Sequence, residues 1–235
     1  MKRGRRIVRR ALRPQNKRPP ASVAKVARLL DRAYPKTRLG NKANPLNELA
    51  FIMLSGQTGG DLAQTSYADF KRRFPRWDEV ADAPLRSIVA SIRGGGLAIQ
   101  KARYLRDSAR LLKTTFGRVT LAPLRQMRTR QAETFLCTLP GVGIKSARCV
   151  LLYSLLRAVF PADVHCMRVM TRLGWLQWHG QRGEALAETA QVNIPPSLRN
   201  LLHVRFIQHG RAVCRPRPNC PACVLNQCCP AAGNA

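Results

Sequence analysis

Acidic residues are scarce in this chain: 12 Asp and Glu stand against 41 Lys and Arg over 235 residues, a net charge of +29. That imbalance points to a polyanionic partner, because clustered positive charge attracts phosphates at long range and gains affinity by releasing condensed counterions. Nucleic acid is the favoured ligand and an anionic membrane the competing one. Long apolar runs are missing too, and none reaches the roughly 18 residues that a membrane-spanning helix needs. The opening MKRGRRIVRRALRPQNKRPP lacks the apolar core of a signal peptide, so a soluble, non-secreted protein is expected. Strand-like alternation and internal repeats are also absent.

What is present is basic and helical. The eleven cations from Lys2 to Arg28 precede the first acid, Asp31, and residues 1–20 read as a disordered tail loosely held on nucleic acid. An organelle-import presequence is the other reading of that tail, weakened by its poverty in Ser. Beyond it, an apolar share of 45% is ordinary for a globular protein and argues against wholesale disorder. Apolar residues recur at a period of three to four in 22–34, 47–56, 101–117, 130–141, 145–160, 165–176, 183–191 and 197–211, so an all-α fold is expected. Pro and Gly break the pattern at 34–45, 73–77, 93–97, 139–143, 160–163 and 193–197.

One break carries chemistry. In RQAETFLCTLPGVGIKSARCVLLYSLL two helices are joined by LPGVG. Gly141 and Gly143 can take backbone angles closed to other residues and leave no side chain in the way of a phosphate. The amides that follow lie at the positive end of the second helix, which independently favours an anion. A plain helical hairpin is the bland alternative. Lys145 stands at the start of that helix, against its dipole, at a cost of a few tenths of a kcal/mol. The same positive potential is expected to lower the amine's pKa and so favour the neutral, nucleophilic form. Eighteen residues on, Asp163 in FPADVHCMRV stands where a helix N-cap is expected.

LPGVGIKSA, the aspartate of ADVHCMRV and the terminal run HGRAVC…C..C.....C, in that order, resemble the helix-hairpin-helix DNA glycosylases, and within them the endonuclease III branch. The similarity spans roughly Asn44 to Pro230. It implies a two-domain, all-α protein: a six-helix barrel with the hairpin at 38–157, and a second domain combining 21–37 with 158–230. It implies that Lys145 is the amine nucleophile and Asp163 the essential carboxylate, which stabilises the cationic sugar as the base departs and can take a proton from Lys145. Schiff-base capture by Lys145 then permits β-elimination of the 3′ phosphate. Duplex DNA is the implied partner, gripped by the turn residues Leu139, Gly141, Val142 and Gly143.

Base removal requires the nucleotide to leave the stack, and something must fill the gap. The resemblance assigns this to Gln57 in LSGQTGGD and Leu97 in GGGLAIQKA; without it, Gln57 reads as a surface loop residue and Leu97 as a core side chain. Both loops are unusually rich in glycine, at Gly59, Gly60 and Gly94 to Gly96.

Five cysteines crowd into the sixteen residues from Cys214 to Cys229, which in a chain without an export signal reads as a metal site. Four thiolates suit a four-iron four-sulfur cluster or a zinc ion. The resemblance favours the cluster, held by Cys214, Cys220, Cys223 and Cys229, with Cys228 as a spare thiol. The first interval, Arg215 to Asn219, is one residue shorter than the family's, which keeps zinc as the alternative. Arg215 and Arg217, between the ligands, could meet DNA phosphates. Cys137, Cys149 and Cys166 read as small core residues, and His165 and Arg168 as supports of the pocket.

The expected function is base-excision repair by a monomeric glycosylase with abasic-site lyase activity, removing oxidised pyrimidines in a bacterial-type cytoplasm or nucleoid. The alternatives are a uracil, mismatch or 8-oxoguanine glycosylase on the same scaffold, or a DNA-binding homologue with weak or no catalysis.

Overall fold

A computed structural model describes residues 20–34, 39, 41–56, 58, 60–92, 96–180 and 183–232. The expected basic tail at 1–20 lies almost wholly outside them. Among the described residues the secondary structure is helical throughout, without strands, as the all-α reading requires. The helices are α1 (Val23–Ala33), α2 (Pro45–Ser55), α3 (Gly60–Arg73), α4 (Asp78–Asp82), α5 (Leu85–Ser91), α6 (Ala98–Phe116), α7 (Thr129–Thr138), α8 (Ile144–Tyr153), α9 (Val164–Arg172), α10 (Glu184–Val192) and α11 (Arg199–Ala212).

Local chemistry sets many of the helix ends. Asn44 caps α2 by accepting from the amides of Leu46 and Asn47, and Pro45 supplies a preset first turn. Gly117, at φ 74°, ends α6 in the left-handed conformation that glycine reaches without strain. Three helices leave only a thin periodic pattern in the sequence: α3 buries only Ala63, Ser66 and Phe70, while α4 and α5 are five and seven residues long.

The helical period over 145–160 overshoots, since α8 stops at Tyr153. Leu156 takes φ 54° with its side chain 83% exposed, and the Arg157 amide reaches back to the Leu151 carbonyl, closing the helix where glycine usually stands. A left-handed leucine costs about 1 kcal/mol or more and gains nothing from burial here. Leu156→Gly is therefore expected to raise the melting temperature by a few degrees, measured by calorimetry or circular dichroism.

Buried apolar side chains form two clusters. One runs from Leu46 to Val159 through α2 to α8; the other joins Ala21, Val26, Ala27 and Leu30 of the N-terminal segment to residues between Phe160 and Leu225. Helix α2 lies at the centre of the first, with nine of its eleven residues buried. Polar contacts tie the clusters together. Arg148 of α8, 1% exposed, pairs with Glu133 of α7 and Glu188 of α10 at 2.7 and 2.6 Å. The Tyr153 hydroxyl meets His203 Nδ1, and within the first unit Ser154 donates to the Lys42 carbonyl.

Candidate active site

The α7–α8 hairpin is built as a backbone device. Leu139 and Val142, expected among the DNA contacts, turn their side chains inward at 2% and 6% exposure, so only their main chain can face a ligand. Val142 spends its amide on the Leu139 carbonyl. The first intrahelical bond of α8 runs from the Ala147 amide to the Gly143 carbonyl, which leaves the amides of Gly143, Ile144, Lys145 and Ser146 without intrahelical acceptors.

The two glycines differ. Gly141 sits at φ 77°, and a Cβ there would run into the Tyr104 ring. Gly143 has φ −94°, open to any residue, so of the two glycines that can take angles closed to other residues only Gly141 does. Around Gly143 a Cβ would meet nothing within 4 Å, and this is space that an approaching phosphate can use. Gly141→Ala is expected to cost 2 kcal/mol or more, roughly the left-handed penalty plus the ring overlap. Gly143→Ala should keep the melting temperature and weaken DNA binding. Thermal melts and gel-shift titrations of both variants test the contrast.

Lys145, the second residue of α8, is reached by solvent yet densely surrounded by protein, as at the mouth of a cleft. The Cys149 sulfur one turn on favours its ammonium, burial opposes this, and Asp163 adds to the first effect, so the pKa lies above the ordinary lysine value. The helix-dipole expectation of a lowered pKa is thus overturned by neighbours that α8 and α9 bring to the amine. Asp163 caps α9, with Oδ1 accepting from the amides of His165 and Cys166 at 2.9 Å each. Capping uses one oxygen only. Burial pushes the Asp163 carboxyl up, but His203, the Cys166 amide and Lys145 outweigh it and hold it below its ordinary value.

Residues that no motif announced lie around this pair. His203 is 1% exposed and desolvation pushes it down to about 4, so near neutrality it is uncharged and the capping amide and Lys145 keep Asp163 ionised. Glu48, fully buried on α2, accepts from Asn41 Nδ2 at 2.5 Å and from the Lys42 amide at 2.6 Å. Burial raises its pKa while Lys42 and Lys145 act to lower it. Lys42 in turn sets its ammonium 4.7 Å from the Phe51 ring centre and 4.9 Å from that of Tyr67. The only sequence signal for Glu48 was an acid inside the apolar run ELAFIML.

His203 makes stability pH-dependent. Its folded pKa lies below the unfolded value, so the unfolded chain binds the extra proton between about 6.5 and 4. Its contribution is present above about 6.5 and is lost as pH falls towards 4, by an amount on the order of a few kcal/mol. Melting temperatures measured across this window should fall, and His203→Asn should flatten the slope.

The two gap-filling candidates fare differently. Gln57 lies outside the described residues. Leu97 is 52% exposed, not a core side chain, and stands at φ 60°, ψ 34° at the start of α6. Arg168 donates to the carbonyls of Cys214 and Gly210 and meets His165 Nδ1 at 3.0 Å, a brace between α9 and the end of α11. Cys149 and Cys166 are buried, but Cys137 is exposed, because the buried face of α7 is carried by Ala132 and Leu136.

Cys214, Cys220, Cys223 and Cys229 line one cavity of about 300 Å³, shared with Arg172 and His209. Cys228 is not among its lining residues and its thiol donates to the Leu225 carbonyl. Arg172 Nη1 stands 3.1 Å from Cys214 Sγ, and the Leu225 amide donates to Cys223 Sγ. The four thiols face a common space but do not converge to single-ion distances: among the described residues no three His, Cys, Asp or Glu side chains do so. Arg215 and Arg217 are exposed between them.

The fold is that of endonuclease III: a solved endonuclease III–DNA complex superposes with a TM-score of 0.75, at 24% identity, over 88% of this chain and 93% of the other. The chain belongs to the HhH-GPD superfamily of base excision DNA repair proteins, which it matches over residues 50–196. It is 24% identical to the endonuclease III of Thermotoga maritima over 208 residues, 88% of this chain and 92% of that one. A candidate DNA glycosylase of Arabidopsis thaliana is 33% identical over 166 residues, 71% of this chain. Here the chain spans 56% of the relative's length.

Proposed function

We propose that this protein is a DNA glycosylase with abasic-site lyase activity that removes oxidised pyrimidines from duplex DNA, working as a monomer. The observation that carries the reading is the opposition of Lys145 and Asp163, each placed by a helix start and each favouring the other's charge. The unpaired amides at the start of α8 hold the phosphate. As the bond from sugar to base breaks, electrons leave with the base and the anomeric carbon gains cationic character, which the Asp163 carboxylate stabilises. Lys145, once it has lost its proton, attacks that carbon. The ring's C1′–O4′ bond then breaks, O4′ taking the proton the nitrogen gives up, to leave a protonated Schiff base; this acidifies the neighbouring C2′–H, and loss of that proton expels the 3′ phosphate.

The two apolar clusters correspond, on this reading, to two domains with DNA lying between them. Cys214, Cys220, Cys223 and Cys229 hold a four-iron four-sulfur cluster of structural role. A lone zinc would need all four sulfurs at about 2.3 Å, whereas the separated thiols around a shared cavity suit a larger cluster better. Arg172 and the Leu225 amide would hydrogen-bond its thiolates.

Single-turnover assays on duplexes bearing an oxidised pyrimidine, uracil, a thymine mismatch or 8-oxoguanine test the substrate. Incision of the first is expected; preferential release of another base overturns the lesion assignment, and binding without release of any overturns the enzyme. Yellow-brown protein with iron and labile sulfide is expected on purification. Colourless, zinc-containing protein refutes the cluster.

A further inference from the structure

Lys101 is a lysine in an unusual place: 5% exposed, on the first turn of α6, with no carboxylate pairing with it among the described residues. Taking an ammonium out of water is costly unless its hydrogens are used. Here Nζ donates to the Leu54 carbonyl and to Thr58 Oγ1, both at 2.7 Å. Leu54 is in the last turn of α2, which has no basic residue of its own, so Lys101 supplies the cation that the negative end of that helix favours.

Thr58 belongs to the turn between α2 and α3, where its amide bonds the Ser55 carbonyl and its hydroxyl the Gly56 carbonyl. Through its own amide Lys101 also bonds the Leu97 carbonyl at 3.0 Å, the backbone bond that closes the start of α6. One residue therefore grips the turn after α2 and the turn before α6, although it lies 43 residues from Thr58 in sequence. Both turns have glycine-rich neighbours, Gly59 and Gly60 on one side and Gly94 to Gly96 on the other.

We infer that Lys101 is a positioning residue that locks the end of α2 and Thr58 to the start of α6, so that Leu97 is held ready to meet the gap left by an extruded nucleotide. The inference rests on the glycosylase reading above. Ordering a loop on binding subtracts from affinity, and a lock made in the free protein removes that cost. Phosphate contacts elsewhere do not depend on the lock, so its loss should fall on recognition of the gap.

The test compares the full-length wild type with Lys101→Met, Lys101→Arg and Thr58→Val. The probes are a duplex carrying a tetrahydrofuran abasic analogue opposite 2-aminopurine and the same duplex undamaged. For Lys101→Met the preference for the gapped duplex should fall about tenfold, the scale of ordering a loop on binding, with undamaged-duplex affinity little changed. The rise in 2-aminopurine fluorescence should shrink with it. Borohydride trapping on true abasic DNA should lose affinity far more than rate at saturation. Thr58→Val, which keeps the buried lysine, should show part of the same loss, and Lys101→Arg should restore most of it.

Wild-type preference and fluorescence in Lys101→Met and Thr58→Val overturn the inference, as does an equal loss on both duplexes that tracks a lowered melting temperature. Should Lys101→Met fail to fold, Thr58→Val decides alone. Wild-type protein that neither prefers the gapped duplex nor traps abasic DNA refutes the glycosylase reading and, with it, this one. Normal wild-type behaviour with unchanged variants refutes only the role of Lys101.

Discussion

Lys145→Gln should abolish borohydride trapping on abasic-site DNA, a fall of about three orders of magnitude or more, the scale seen when a covalent nucleophile is removed. Glutamine is close in length and uncharged, and lysine at this position works against the α8 dipole. Folding should therefore survive the change, and gel shifts should show that duplex binding persists through the hairpin amides. The pH dependence of the wild type supplies a second readout. Cys149 and Asp163 favour the ammonium of Lys145, so the trapping rate at saturating enzyme should climb as pH rises above neutrality and the amine fraction grows. A covalent adduct that survives in Lys145→Gln would place the nucleophile elsewhere in the chain.

Asp163→Asn should slow base release by about two to three orders of magnitude, the range measured for a group that stabilises charge developing in a transition state. The choice of asparagine separates two roles held by one side chain. Asparagine caps helices as well as aspartate does, so the bonds to the amides of His165 and Cys166 can persist and the melting temperature should barely move. Asp163→Ala removes both roles and should add about 1 kcal/mol of instability from the lost cap. Trapping on preformed abasic DNA needs no base removal and should suffer less than excision in Asp163→Asn. Full excision by that variant would show that the carboxylate is a cap and nothing more.

Some of this was legible from spacing alone. Helix periods and the Pro and Gly breaks between them are local, because each depends on residues within one or two turns. The hairpin turn was legible for the same reason, although only Gly141 proved to need its glycine. Leu156 shows where local reading fails: the apolar period ran on through 160, but the chain leaves the helix at Tyr153 and accepts a left-handed leucine to pack Val159 and Phe160 into two different clusters.

The amino-acid sequence by itself determined the helical class, the basic charge, and the order of hairpin, lysine, aspartate and cysteines. Tertiary structure decided what surrounds them. The pKa of Lys145 turned on Cys149 and Asp163 rather than on its own helix dipole. His203, fifty residues from Tyr153, and Glu48, nearly one hundred from Lys145, became neighbours of the site through packing. Lys101 found Leu54 and Thr58 in the same way, and the cavity took in Cys229 but not its neighbour Cys228. The physical reason is common to all of them: secondary structure is set over a few residues, whereas burial and charge environment are set by whichever distant helices the apolar cores bring together.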